Sequence, residues 1–297
     1  MHWKAVLAVT ALTIALLPVS AFAAPVRPLQ RAHAHNDYEH AKPLLDALAH
    51  GFTSVEADVF LVNGELLVAH DAADLRPNRT LKSLYLDPLR MRIQANDGSV
   101  YETPSAFRLL IDVKTEAEST WAALRGVLAE YSDILAGQNA NGRIDGPVTV
   151  IVSGNRAQAT MLGETTRYAF YDGRIPADVG GDATFVPLVS QNWDSFSPWK
   201  GVGAMPDNQR QRLDQYVSAA HAKGQIVRFW ATPDAPGAAR DNVWRTLIDA
   251  HVDLINTDDL AGLQSFLLAN DPLARVPEPL SHVLFALGGT AWLLKRR

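Results

Sequence analysis

Short apolar or β-branched runs alternate along the chain with segments in which apolar residues recur every three to four positions. The runs Gln30–His35, Thr53–Phe60, Phe107–Val113, Val148–Ser153, Arg167–Tyr171, Phe185–Ser190, Gln225–Trp230 and Asp253–Thr257 predict eight strands. Between them, Pro43–His50 carries Leu44, Leu45 and Leu48 and stops at Gly51, a residue favoured just past a helix end. Trp121–Leu135, Gln209–Lys223, Trp244–Ala250 and Leu260–Leu268 have the same helical spacing. Eight strands alternating with helices over about 250 residues predict a (β/α)8 TIM barrel. Glu65–His70 predicts an extra strand, hairpinned to the second through Asn63-Gly64. Residues 71–106, with Pro77, Pro88, Gly98 and Pro104, read as a long loop region over one mouth. An open doubly wound sheet is the competing architecture, but no glycine-rich fingerprint follows the first strand.

Both ends depart from this pattern. Residues 1–23 run from His2 and Lys4 through a short apolar stretch to Ala21-Phe22-Ala23, the order of a secretory signal peptide. An N-terminal membrane anchor is the alternative, for which the stretch is short. In residues 276–297, Val276-Pro277-Glu278-Pro279 precedes the apolar Leu280–Leu294 and the basic Lys295-Arg296-Arg297. This ending resembles the PEP-CTERM sorting tag, with a plain tail anchor as the alternative. The tag implies an exported protein, periplasmic, cell-surface or extracellular in a Gram-negative bacterium, with transient contact with export and sorting machinery. Residues 24–275 then form the single barrel domain and are expected to be monomeric. Its 23 basic and 31 acidic residues leave a formal net charge of −8, which argues against nucleic acid or anionic membrane as a partner. The chain has no cysteine, so disulfides and thiolate metal ligands are excluded.

The candidate chemistry lies at the ends of the early strands. Glu56 and Asp58, two apart, share one face of a strand, and two carboxylates there repel unless a cation neutralises them. Asp112, in Leu110-Ile111-Asp112-Val113-Lys114, adds a third carboxylate, and His35 and His70 add imidazoles. In a barrel these five converge on the C-terminal mouth. Three carboxylates without thiolates favour a hard cation, Mg²⁺ or Ca²⁺; His33 and His35, also on one face, are the alternative as Zn²⁺ ligands. Trp230 ends the seventh strand at the same mouth, where it either walls the substrate site or packs in the barrel. Asn192 and Trp193 could wall the site likewise. His40, His50, His221 and His251 read as solvated.

His33–Asp37 followed by Tyr38, Pro43-Leu44, Ser54–Val59, the Asn63-Gly64 turn and Arg79-Thr80-Leu81 through Tyr85-Leu86 resemble the altered-inheritance-of-mitochondria protein 6 family. More broadly, the set is similar to the glycerophosphodiester phosphodiesterase and phosphatidylinositol-specific phospholipase C superfamily, which includes sphingomyelinase D. The likeness is closest over residues 31–115 and returns in Val227–Trp230 and in Val252–Asp258. It implies a metal-dependent phosphodiesterase acting on a glycerophosphodiester or phospholipid-like substrate. Glu56, Asp58 and Asp112 would be metal ligands, His35 and His70 the acid/base pair, and Lys114 a phosphate contact. The 21-residue interval to Glu56 favours His35 over His33 as the catalytic histidine. The superfamily's His-Arg-Gly opening and a nearby glutamate ligand are missing, which leaves Asn36 or Asp37 as replacements. A lyase forming a cyclic phosphate, or a non-catalytic surface binding protein on the same barrel, are the competing functions.

Overall fold

The computed structural model describes residues 26–274. Eight parallel strands close into a barrel in the order β1 (Leu29–Ala34), β2 (Phe52–Val62), β4 (Phe107–Val113), β7 (Val148–Gly154), β8 (Phe170–Arg174), β9 (Leu188–Asn192), β10 (Ile226–Trp230) and β11 (Leu254–Thr257). Closure is made by β1, which pairs with β2 on one side and β11 on the other. Strand β3 (Glu65–Val68) folds back antiparallel onto β2, as the Asn63-Gly64 turn requires; both turn residues have positive φ. A small hairpin of β5 (Gly137–Asn139) and β6 (Gly142–Ile144) stands outside the ring.

The helices α1 (Leu45–Ala49), α2 (Asp87–Ala95), α3 (Ala117–Ala129), α4 (Gln158–Gly163), α5 (Trp193–Phe196), α6 (Asp207–His221), α7 (Ala238–Asp249) and α8 (Leu260–Asn270) occupy the crossovers and the C-terminal end. Most of the apolar core, including Val55, Leu109, Val150, Val227 and Ile255, forms one cluster with helix residues such as Leu124, Val217 and Leu247. Inside the ring a second cluster, Leu110, Ile151, Leu188 and Leu254 with Ile226 against it, plugs the barrel at mid-height. Strands buried on both faces read as near-continuous apolar runs, which is why most were legible. Gly51 ends the first helical turn at φ 82, and a Cβ there would overlap the Arg27 carbonyl, so glycine is required.

The fifth and sixth barrel strands begin about three residues later than the apolar pattern predicts. Arg167 pairs instead with Gln138 of the outer hairpin, and Phe185 stacks on Tyr171 with centroids 5.3 Å apart, in the connection before β9. The strands continue into Asp172, Arg174 and Ser190, whose polar groups satisfy one another inside the barrel.

Residues 71–106 are not one long loop, since a helix occupies residues 82–95. A π-helical stretch, Lys82–Leu86, runs directly into α2, so Pro88 lies inside one helical run, where the π-helical turn gives way to the α-helix. The segment lies on the outer wall: Leu89 and Ile93 are buried, Tyr131 donates to Asp87 at 2.5 Å, and Arg90 pairs with Asp133 over the Tyr131 ring.

Candidate active site

Strand β1 directs His33, and His35 just past its end, into the barrel. His33 is fully buried, with Nδ1 2.7 Å from Ser54 Oγ and Nε2 3.2 Å from Glu56 Oε2. Burial, then the charge of Arg228, depresses its pKa to about 3 against the opposing effect of Glu56. Neutral His33 can therefore donate to Glu56 from Nε2 and accept from Ser54 at Nδ1. His35 is more open, and its Nδ1 lies 2.9 Å from Asp258 Oδ1. Burial alone would lower its pKa, but the Asp258 hydrogen bond and the Glu56 charge outweigh it and the net shift is upward.

Three carboxylates meet above the apolar plug. The strand register sets Asp58 directly beside Asp112, with Glu56 beside Leu110. Glu56, Asp58 and Asp112 each offer an oxygen within 4.8 Å of the others'. Glu56 is buried; burial would raise its pKa, yet the contacting Arg228 guanidinium and then His33 hold it far below the ordinary carboxylate range. Burial raises the Asp58 pKa, opposed by hydrogen bonds from Tyr38 (2.6 Å) and Lys114 (2.9 Å). Asp58 Oδ1 is buried without a partner among the described residues. Burial, then the Glu56 charge, also raises Asp112, whose Oδ2 accepts from Lys114 Nζ at 2.5 Å. The close approach of β7 to Asp112 requires Gly154: at φ 68 its missing Cβ would overlap Asp112 Oδ1.

His70, at the end of the β2–β3 hairpin, places Nδ1 3.4 Å from Asp58 Oδ2 and 3.1 Å from the Tyr38 hydroxyl. Tyr38 also reaches Asn36 Oδ1 at 2.7 Å. A cavity of about 480 Å³ is lined by His35, Asn36, Glu56, Asp58, His70, Asp112, Lys114 and Arg228, with Arg174 and the partly exposed Trp230 also in its wall.

Every sequence-predicted site residue, His35, His70, Glu56, Asp58, Asp112, Lys114 and Trp230, thus lines one cavity. Among the candidate replacements for the missing ligand, Asn36 lines the cavity at φ 47, a conformation asparagine tolerates. Asp37 does not: its Oδ2 accepts from the Leu44 amide at 2.6 Å and from Tyr85 at 2.9 Å, and burial pushes its pKa up to about 7. Both ring nitrogens of His33 face Ser54 and Glu56, which disfavours its pairing with His35 as zinc ligands. Trp193 does not wall the cavity; it is buried with Phe196, Trp199 and Phe229, and Asn192 caps α5 instead. His221 is not free in solvent either, since it lies 2.8 Å from Asp253.

The sequence reading gave no role to Arg228, Asp258 or the pair Asp172 and Arg174. Arg228 holds Glu56 and two contacts to Asn256 Oδ1 at 2.8 and 3.0 Å. Asp172 is fully buried, accepting from Ser153, Ser190 and Arg174 at 2.6–2.8 Å. For Arg228, Asp172 and Arg174 the signal that could have found them is the one that marked Glu56, a charge embedded in a strand; Asp258, just past β11, carries no such signal.

Residues 20–172 match the AIM6-like phosphodiesterase domain, and residues 227–261 match the glycerophosphoryl diester phosphodiesterase family. The altered inheritance of mitochondria protein 6 homolog of Arthroderma benhamiae is 31% identical, over 79% of this chain and 82% of that protein. The Eremothecium gossypii protein of that name is 31% identical, over 80% and 69%, and that of Kluyveromyces lactis 27% identical, over 80% and 72%. A glycerophosphoryl diester phosphodiesterase from Parabacteroides distasonis shares the fold, with a TM-score of 0.50 at 13% identity over 88% of this chain and 92% of that one. The curated relatives are fungal and point to a eukaryotic origin. This overturns the expected location in the periplasm, on the surface or outside a Gram-negative bacterium. The physical reason is that a short apolar stretch and a basic end are generic signals, whereas likeness over four-fifths of the chain is not. The expected leader, 1–23, and sorting tag, 276–297, lie outside the described residues. Through the matched domain and the length of its fungal relatives' likeness, the chain belongs to the AIM6-like phosphodiesterase domain family.

Proposed function

We propose that the chain hydrolyses phosphodiesters with the help of a divalent cation, Mg²⁺ or Ca²⁺, and that its substrate is a glycerophosphodiester or phospholipid-like molecule. The observation that carries this reading is the gathering of Glu56, Asp58 and Asp112 within 4.8 Å, with one buried oxygen of Asp58 left without a partner among the described residues. Such an all-oxygen donor set suits a hard cation. Held there, the ion would polarise a phosphoryl oxygen and offset the charge that develops on it.

The other groups have work consistent with this. Lys114, between Asp58 and Asp112, supplies a positive point charge for a phosphoryl oxygen. His35, oriented at Nδ1 by Asp258 and raised in pKa, carries a proton on Nε2 for the leaving oxygen. His70, on the other side of Asp58, takes the proton of the attacking water. Tyr38 fixes both Asp58 and His70 by hydrogen bonds. Trp230 offers an apolar wall to the substrate's organic part.

The test is turnover of bis(p-nitrophenyl) phosphate and glycerophosphodiesters by the full chain. Activity should vanish in chelator and return with Mg²⁺ or Ca²⁺, and phosphorus NMR should show a phosphomonoester. Turnover that ignores chelation refutes the metal role; a cyclic phosphate as final product refutes hydrolysis.

A further inference from the structure

Strand β4 threads charge through the barrel on its inner face: Arg108, then Leu110, then Asp112, two residues apart each time. Leu110 belongs to the mid-height plug, so Arg108 lies on the opposite side of that plug from the candidate active site. There a second cavity of about 310 Å³ opens at the N-terminal mouth, lined by Arg31, Arg108, Gln30, Thr53, Ser105 and Asp253.

The polar groups of this cavity are unevenly satisfied. Arg31 donates to the Val252 carbonyl, and its Nε lies 3.4 Å from Asp271 Oδ2, an ion pair without hydrogen-bond geometry. Asp253 Oδ2 already receives the Val227 amide and faces His221, each at 2.8 Å. Arg108 has no hydrogen-bond acceptor among the described residues, and Asp253 is its opposing charge. It is deep enough that desolvation lowers its pKa. Arg108 is half-buried in the cavity wall, and a guanidinium in such a recess with no protein acceptor gains from a partner that replaces water on its donors. The partner that fits its planar fork is an oxyanion with two oxygens to offer.

We propose that the N-terminal mouth is a binding site for a small oxyanion, a phosphate or carboxylate group, held between Arg108 and Arg31. The Ser105 hydroxyl and the Gln30 amide complete a lining able to donate to the remaining oxygens, while the Thr53 hydroxyl is already spent on the Leu29 carbonyl at 3.0 Å. The plug isolates this site from the candidate active site, so its occupancy acts on the stability of the fold and contributes nothing directly to turnover.

Inorganic phosphate is the probe, with the full chain in chelator, read by calorimetry and by hydrogen exchange. Phosphate should slow exchange in the segment from Ser105 to Arg108, and should do so equally in Lys114→Met, which weakens any phosphate site at the other mouth. Arg108→Met, an apolar side chain of similar length, should abolish the protection. Arg108→Lys keeps the charge without the fork and should weaken binding about tenfold. Phosphate and acetate should compete. Absence of protection at saturating phosphate, or protection unchanged in the Arg108 variants, overturns the site and leaves the cavity to water.

Discussion

The early and late strands of the barrel contribute differently to the C-terminal mouth. Strands β1, β2 and β4 bring His35, Glu56, Asp58 and Asp112, groups able to bind a cation or move a proton. The late strands β8 and β10, and the residue following β11, bring Arg174, Arg228 and Asp258. Arg228 neutralises Glu56 and Asp258 orients His35, while Arg174 pairs within its own half, to Asp172. The early half holds the proposed reacting groups, and the late half sets the charge of Glu56 and the aim of His35. Neither half is a site alone: Lys114, next after β4, answers Asp58 and Asp112, but the deeper Glu56 takes its counter-charge from Arg228 across the barrel.

The largest expected effect tests the early half. His70→Ala or His35→Ala should lower diester turnover by about two to four orders of magnitude, the usual size of a lost general acid or base, with thermal unfolding little changed. Turnover that survives both substitutions removes the acid/base assignment.

Arg228→Met tests the late half by stability. It leaves Glu56 buried without its counter-charge, and chemical denaturation should register a loss of roughly 3–5 kcal/mol. Adding Glu56→Gln should restore most of it, although turnover should not return. If the single variant unfolds like the parent, Glu56 does not depend on the late strands.

Asp37 sharpens the comparison as a buried carboxylate of the early half with no counter-charge in contact among the described residues. Its folded pKa, about 7, lies above the ordinary 3.8, so the native state binds the extra proton. Stability from this group is present below 3.8 and is lost as pH rises through about 7. Asp37→Asn should flatten that decline, by roughly 2–4 kcal/mol across the window, in denaturation curves taken at successive pH values. An unchanged slope would place the protonation elsewhere.

Asp258→Asn should have the smallest effect. Without the carboxylate the His35 pKa falls, so the limb of the pH–rate profile that His35 governs should move to lower pH, with a smaller loss of turnover than His35→Ala causes. A profile that does not move would show that Asp258 has no part in setting the proton affinity of His35.

The alternation of apolar runs with helical spacing determined the barrel, because strands buried on both faces must be apolar and their crossovers amphipathic. The same logic exposed Glu56, Asp58 and Asp112, since a carboxylate inside an apolar run has no ordinary structural reason to be there. Their meeting with His35 and His70 followed from the rule that strand ends converge. Residues 82–95 were hidden because Pro88, a loop signal by itself, is carried inside a helix just past its π-helical turn. The starts of β8 and β9 were hidden because Asp172, Arg174 and Ser190 break the apolar pattern while satisfying one another inside. Only tertiary structure decided that Arg228, 172 residues away, neutralises Glu56, and that Asp258 rather than a neighbour in sequence orients His35. It alone set Arg108 beyond the plug, facing an opening with no protein acceptor among the described residues. Sequence records which groups are buried through local pattern; which charge answers which depends on ring closure, and closure brings together strands that no local spacing connects.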